Sequence, residues 1–376
     1  MKKYFLSLLA LLPLAALGQI NGPGYYRVQN KGSQRFLLLV DNRGSINWTD
    51  TSVDLGALKT IGTFDENVCW NPATICYMSE GTKANYYNIS GQGLDLYNIT
   101  KTYLQFAKQS DGSYIIKGEA TKAGTTVAKT LYDSAKPNNP ASINTGGTAG
   151  YQYWYVRPVK STGNYYFGIK PDFQATMEGN NRYYGTMYAS FPFQLAYDMK
   201  AYYPTAISGE YVKVSPLVNT VPASVPVIVE CSSDKPSENK VDLLTSSTAS
   251  ATGNKLTGVY YCNIDNSDTH AHHNVKEYYP TNMRVLGKAA DGRLAFVTDY
   301  NLKYIPANKA YITVPTGAPE TLYVVTSIPS GIETVNAMDV TSQNHGVYSL
   351  SGQRLGDTTD GLSKGLYIVN GRKVVR

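Results

Sequence analysis

Apolar residues along this chain recur mostly with period two, in short runs set apart by Gly, Asn and Pro, so the pattern predicts strands. Tyr25–Asn30 (YYRVQN) and Phe36–Val40 (FLLLV) form an expected first pair around Lys31-Gly32-Ser33. Val53, Leu55, Leu58 and Ile61 suggest one short helix over 50–61, behind a Thr49/Asp50 cap region. Strands are then expected at Val68–Trp70 and Thr74–Met78, broken by Asn71-Pro72, and at Tyr86–Ile89, Leu94–Tyr97, Tyr103–Ala107, Tyr114–Lys117, Lys129–Tyr132 and Tyr153–Val156. Asn138–Gly150 reads as a polar loop. Further strands are predicted at Tyr211–Val214, Val225–Glu230, Val259–Asn263, Met283–Leu286, Leu294–Val297 and Tyr311–Val314, with Asp291-Gly292 as a hairpin turn. Val347–Leu350, Leu366–Val369 and Arg372–Val375 close the chain, the last two flanking Asn370-Gly371.

The fold class expected is all-β, in three parts behind a leader. Residues 19–182 form a Tyr-rich β domain, 183–325 an antiparallel β-sandwich, and 326–376 a linker with a short β-hairpin tail. Residues 1–18 read as a secretory signal peptide: Lys2 and Lys3, an apolar run over Tyr4–Leu17, and small residues at Ala16 and Gly18 before Gln19. The apolar run is roughly 14 residues, short for a bilayer span, and no later segment is long and apolar enough to be a membrane helix. The expected setting is therefore extracytoplasmic, secreted or on the outer cell surface, with no transmembrane segment in the mature chain.

Composition sharpens this. Charged residues are 16% of the chain, while Tyr numbers 32 and Gly 33, a balance that favours strands and turns. The formal charge of +6 is spread without a dense Lys/Arg run, so no nucleic-acid partner is expected. The four cysteines allow three disulfide connectivities. Cys69–Cys76 and Cys231–Cys262 are the favoured pairs because each stays within one expected domain; four reduced, buried thiols are the alternative.

Three resemblances follow from motifs. Gln152-Tyr153-Trp154 is a Q-x-W triplet, and with the Tyr-rich openings at Gly24, Gly112 and Gly163 the first domain resembles the ricin-type β-trefoil lectins. That resemblance implies a threefold barrel in which Gln152 and Trp154 hold the core. Tyr184–Phe193, Lys200-Ala201-Tyr202, Asn254–Gly258 and Ile305–Ile312 (IPANKAYI) resemble in order a β domain common in exported proteins of the Bacteroidetes. Gly331-Ile332-Glu333, Val347–Arg354 and Lys364–Val375 resemble the sorting tails of the type IX secretion route, implying that the tail meets export machinery.

Candidate chemistry is sparse. No G-x-S-x-G, H-E-x-x-H or P-loop occurs, and no enzyme or cofactor is expected. Sugars stack apolar faces on aromatic rings, which makes Trp48, Tyr86, Tyr87, Tyr165 and Tyr166 candidate ligand contacts, together with Tyr183 and Tyr184. His270, His272 and His273 lie behind Asp268, and alternate residues of an extended strand share a face, so these four are a candidate metal site. The leading expectation is a non-catalytic surface protein that binds glycan or a host extracellular protein. The alternatives are a structural adhesin or surface-layer component with no small-ligand site, and a hydrolase of unrecognised type.

Overall fold

The computed structural model describes residues 19–39, 58–61, 64, 68–92, 94–95, 104–122, 125–133, 142–144, 149–260, 276–328, 346–369 and 372–375. The leader over 1–18, Trp48, Cys262, Asp268 and the three clustered histidines lie outside them. The described residues are all-β, and the chain divides into two compact units between Ile328 and Pro329.

The first unit begins with β1 (Gly24–Asn30), β2 (Phe36–Leu39), β3 (Leu58–Ile61), β4 (Cys76–Glu80), β5 (Tyr86–Gly91), β6 (Leu94–Asp95), β7 (Leu104–Lys108), β8 (Tyr114–Lys122), β9 (Thr125–Tyr132), β10 (Ser142–Asn144) and β11 (Tyr153–Pro158). Strands β1, β4, β5, β7, β8 and β11 close an antiparallel ring, because β11 pairs both β8 and β1. Extensions leave the ring after every second member: β2–β3 from β1, β6 from β5, and β9–β10 from β8. This is the connectivity of a β-trefoil. Closure leaves the ring without an open edge. Alternation sends Tyr26, Val28, Met78, Ile89, Phe106 and Ile116 inward. Trp154 is fully buried among them and its Nε1 donates to the Leu131 carbonyl at 3.0 Å. Gln152 Oε1 accepts from the Gly150 amide at 2.8 Å, fixing the turn before β11.

Two local expectations fail here. Leu58–Ile61 is strand, because the edge of β2 offers it a backbone partner with Phe36 opposite Ile61. Val68–Trp70 is turn, followed by a 3₁₀ turn over Pro72–Thr74. Proline at the first helical position presets the backbone, and the Asn71 side chain caps it by accepting from Ala73 N at 3.0 Å.

The chain then runs through β12 (Phe167–Gly168), β13 (Phe173–Met177), β14 (Asn180–Met187), β15 (Phe193–Gln194), β16 (Lys200–Ser208), β17 (Tyr211–Leu217), β18 (Thr220–Val221), β19 (Val227–Cys231), β20 (Lys240–Leu243), β21 (Leu256–Val259), β22 (Met283–Lys288), β23 (Leu294–Val297), β24 (Lys309–Thr313) and β25 (Thr321–Val325). The boundary expected at 182/183 falls inside β14, where Arg182 pairs with Ala175 of β13. Ten strands form one sheet in the order β13-β14-β19-β16-β17-β25-β23-β22-β24-β21, and β12-β20-β15-β18 form a second. One face of the large sheet supplies Tyr184, Val212, Ile228, Phe296, Ile312 and Leu322 to a common core, so the sheet bends over itself. The opposite face of β14, β16 and β19 packs on Phe167, Phe193 and Val241 of the small sheet. Strand β19 (VIVEC) is consequently buried at every position, which suits the apolar run Val227–Val229, while Glu230 is held by side-chain partners. A purely antiparallel sandwich is thus corrected on two counts: the layers are three, and β17 pairs β25 in parallel.

Two motif residues find their reasons at the seam between barrel and sheets. Asn308, at φ +60°, exchanges hydrogen bonds of 3.0 and 2.8 Å with the amide of Gln92, itself at φ +51° in the β5–β6 turn. Asn308 Nδ2 also donates to Tyr188 O at 2.8 Å, and Gln92 Nε2 to Tyr260 O at 3.1 Å. The Tyr188 and Tyr260 rings stack at 4.1 Å, and a Cβ on Gly258 would come within 2.3 Å of the Tyr188 ring.

The second unit contains β26 (Val347–Tyr348), β27 (Arg354–Gly356), β28 (Leu366–Val369) and β29 (Arg372–Val375), an antiparallel sheet ordered β27-β26-β28-β29. Val369 lies opposite Arg372, so the pairing predicted on either side of Asn370-Gly371 is present. The expected hairpin is the edge of this four-stranded sheet.

Candidate functional site

Strand β1 sets the site. Its alternation turns Tyr26 and Val28 into the barrel and Tyr25 and Arg27 outward, toward the sheets. Arg27 is fully buried, and among the described residues it forms no ion pair with a carboxylate. Nη1 donates to Val68 O at 2.8 Å and to Thr74 Oγ1, while Nη2 donates to Cys69 O at 3.1 Å and Tyr166 O at 2.9 Å. Five N–H donors and no acceptor suit it to gather such loop carbonyls. Burial pushes the guanidinium down to about 9, opposed by the nearby thiols and the Tyr166 phenol. The clamp pins the 68–74 turn and the chain after β11 to the outside of the barrel.

Tyr25 stands beside this anchored wall. Its ring meets Tyr77 at 5.1 Å and Phe191, from the sheet side, at 5.8 Å. Burial, and then the neighbouring Tyr77, push its phenol up to about 12. Tyr25 lines two pockets. The larger, about 310 Å³, has an apolar floor of Pro23, Tyr25, Tyr26, Pro158, Val159 and Leu243, with Asn21, Lys160, Asp242 and Thr245 at its polar positions. That volume reaches the range typical of small-ligand sites, about 300–1,000 Å³, and the seam between modules is where such sites concentrate. The Lys160 ammonium and the Asp242 carboxylate form no ion pair among the described residues, so both can meet a ligand. The smaller pocket, about 180 Å³, is lined by Tyr25, Ile75, Tyr77, Ser90, Gly91, Ser190 and Ser224. Ser224, held at φ +58°, lies 2.7 Å from the Tyr260 hydroxyl. Among the described residues the two linings contain one carboxylate, Asp242. This arrangement can stack an apolar face on Tyr25 and exchange hydrogen bonds with hydroxyl groups.

Neither aromatic pair singled out from the sequence lines these pockets. Tyr86 and Tyr87 lie on β5; Lys83 Nζ sits 5.7 Å from the Tyr86 ring, and Tyr87 packs edge-on against Phe106 at 5.5 Å. Tyr165 and Tyr166 come together around Phe64, each with its ring centre 5.4 Å away. The Arg157 guanidinium covers Tyr165 at 4.9 Å and Lys240 Nζ covers Tyr166 at 4.2 Å, so cations of the chain itself occupy faces that a sugar would use. Tyr184 is removed as a ligand contact: it is fully buried and its hydroxyl donates to Glu230 Oε2 at 3.2 Å. Tyr183 packs half-buried against the core shared with the small sheet.

The expected Cys69–Cys76 disulfide is absent; the two are separate buried thiols. Arg27 draws the Cys69 carbonyl to itself, and Cys76 Sγ donates to Tyr26 O at 3.3 Å inside the ring. Cys231 is likewise a buried thiol, with its expected partner Cys262 outside the described residues. The histidine cluster lies outside them too. Among the described residues no three metal-ligating side chains converge, and no helix is long and apolar enough to cross a membrane. Tyr25 was legible only as a strand residue. Nothing in the sequence joined it to Asp242.

No protein-family model matches this sequence, and no curated protein does. Among solved structures, the chain is similar to one described as "Structure and mode of action of a mosquitocidal holotoxin", at 11% identity and a TM-score of 0.27. The likeness covers 79% of this chain and 35% of that one, so the chain spans about a third of that toxin's length.

Proposed function

We propose that this chain is a non-catalytic exported or cell-surface protein that binds a glycan or another extracellular ligand in the groove beside Tyr25. The observation that carries the reading is the lining of the larger pocket: an aromatic and apolar floor ringed by an unpaired ammonium, an unpaired carboxylate, an amide and a hydroxyl. Such a set recognises polyhydroxyl compounds, because carboxylate and amide accept from sugar hydroxyls, ammonium donates to them, and the ring covers the sugar's C–H face. The leader and the tail support the export half of the reading, with the tail as the element that meets the export machinery.

The test is a glycan and extracellular-protein array probed with the full chain and with Asp242→Asn and Lys160→Met. Saturable binding to one glycan class is expected, weakened about tenfold by each substitution, as for loss of a charged hydrogen bond of roughly 1.5–3 kcal/mol. Protein targets alone would move the chain to the adhesin reading. Binding unaffected by either substitution would remove the groove.

A further inference from the structure

Resting on that reading, we infer that the ligand is a neutral, linear oligosaccharide that passes over Tyr25 and occupies both pockets that it lines. Tyr25 belongs to both linings and is the wall they share. Its ring is half-buried, held by Tyr77 and Phe191, and so is a fixed platform rather than a swinging side chain. A ligand confined to one pocket would leave the other wet. A chain of several sugars fills both and stacks one unit on the tyrosine.

The polar groups set the charge of that chain. Among the described residues, the smaller pocket is lined by hydroxyls and apolar groups, with no formally charged side chain. The larger has one cation, Lys160, and one anion, Asp242. An anionic polymer would satisfy Lys160 but run against Asp242, and a cationic one would do the reverse. Neutral hydroxyls both donate and accept, and so satisfy the two together.

Strand pairing argues against an extended peptide. A peptide gains most by adding to an open strand edge. On the barrel wall, β1 is paired on both sides, by β4 and β11. On the facing wall, β20 is paired by β12 and β15. The groove therefore offers side-chain hydroxyls and a ring, which is the recognition chemistry of a sugar.

The experiment is calorimetric titration of the full chain with neutral linear gluco- and manno-oligosaccharides of one to six sugars, and with galacturonate oligomers of the same lengths. Affinity for one neutral series should rise at least about tenfold from one sugar to four and then level, each tenfold being about 1.4 kcal/mol. Galacturonates of equal length should bind more weakly. Ser190→Phe, which fills the smaller pocket, should reduce the longer oligomers to the affinity of the short ones. Ser90→Leu serves as an independent filling variant, and the length series on the unaltered protein decides should neither variant fold. Glycan binding that ignores length, or tighter binding of galacturonate, would overturn the extended neutral ligand while leaving the groove. No binding by any sugar would overturn both.

Discussion

Two of the charges buried in the first unit, Arg27 of the barrel and Glu230 of the sheets, are satisfied in opposite ways. Arg27, outside the barrel, is surrounded by backbone carbonyls and a threonine hydroxyl. Glu230, inside the bent sheet, accepts from two phenols, Tyr184 at 3.2 Å and Tyr202 at 3.0 Å, with a mostly exposed Lys200 at 3.4 Å. Neither charge has an equally buried counter-ion. The difference follows from the backbone around each. The 68–74 turn has carbonyls that no strand ladder satisfies, and these need donors, so a guanidinium fits. Around Glu230 the strands already satisfy one another, and the side chains that reach the carboxylate are tyrosines of neighbouring strands. Arg27 thus organises irregular chain, while Glu230 ties regular strands together.

The comparison is broken most severely at Arg27. Arg27→Ala removes the bonds to Val68 O, Thr74 Oγ1, Cys69 O and Tyr166 O at once and leaves a cavity, although Asn71 N still serves Val68 O and Gly168 N still serves Cys69 O; it should cost about 3–5 kcal/mol in urea unfolding and release the Tyr25 wall. Glu230→Leu removes one acceptor shared by two phenols and should cost about 2–4 kcal/mol, while Glu230→Gln, which keeps an acceptor, should cost about 1 kcal/mol. Equal losses for Arg27→Ala and Glu230→Gln would contradict the distinction.

Asn308→Ala comes next. It removes the reciprocal amide pair with Gln92 and forces alanine to φ +60°, for an expected loss of about 1–3 kcal/mol. The seam should open before either module melts, seen as early hydrogen exchange near Tyr188 and Tyr260.

A smaller effect appears in alkali. Burial pushes the Tyr25 phenol up to about 12 from its usual 10, and burial followed by Glu230 pushes Tyr184 and Tyr202 up as well. The unfolded chain loses these protons first, so the folded state binds more of them above pH 10. Stability should be full below pH 10 and fall as pH rises from 10 through 12. Denaturant midpoints should show this slope, and Tyr202→Phe should flatten it. Smallest is the thiol response. Burial pushes Cys76 and Cys231 up to about 12, so neither should react with a thiol reagent in the folded protein, and mass spectrometry without reduction should find no Cys69–Cys76 link.

The alternation of the sequence carried most of the fold. Val28, Phe106 and Trp154 face one barrel core as their period-two runs imply, and the strand expected over Val225–Glu230 is present as β19. What misled was local chemistry decided elsewhere. Leu58–Ile61 reads as the end of a helix until the edge of β2 gives it a partner. Val68–Trp70 reads as a strand until Arg27, more than forty positions earlier, captures its carbonyls. The site was less legible than the fold. Counting tyrosines selected Tyr165 and Tyr166, whose faces are covered by Arg157 and Lys240. Tyr25 acquires its neighbours only when residues near 160 and 242 come to the same seam.

The most direct measurement is an NMR titration of the full chain with the glycan that binds best on the array. The account predicts shift changes concentrated on Asn21, Tyr25, Lys160, Asp242 and Thr245, with Tyr86, Tyr87, Tyr165 and Tyr166 unmoved. Changes centred on either of those tyrosine pairs, or no saturable change anywhere, would contradict it.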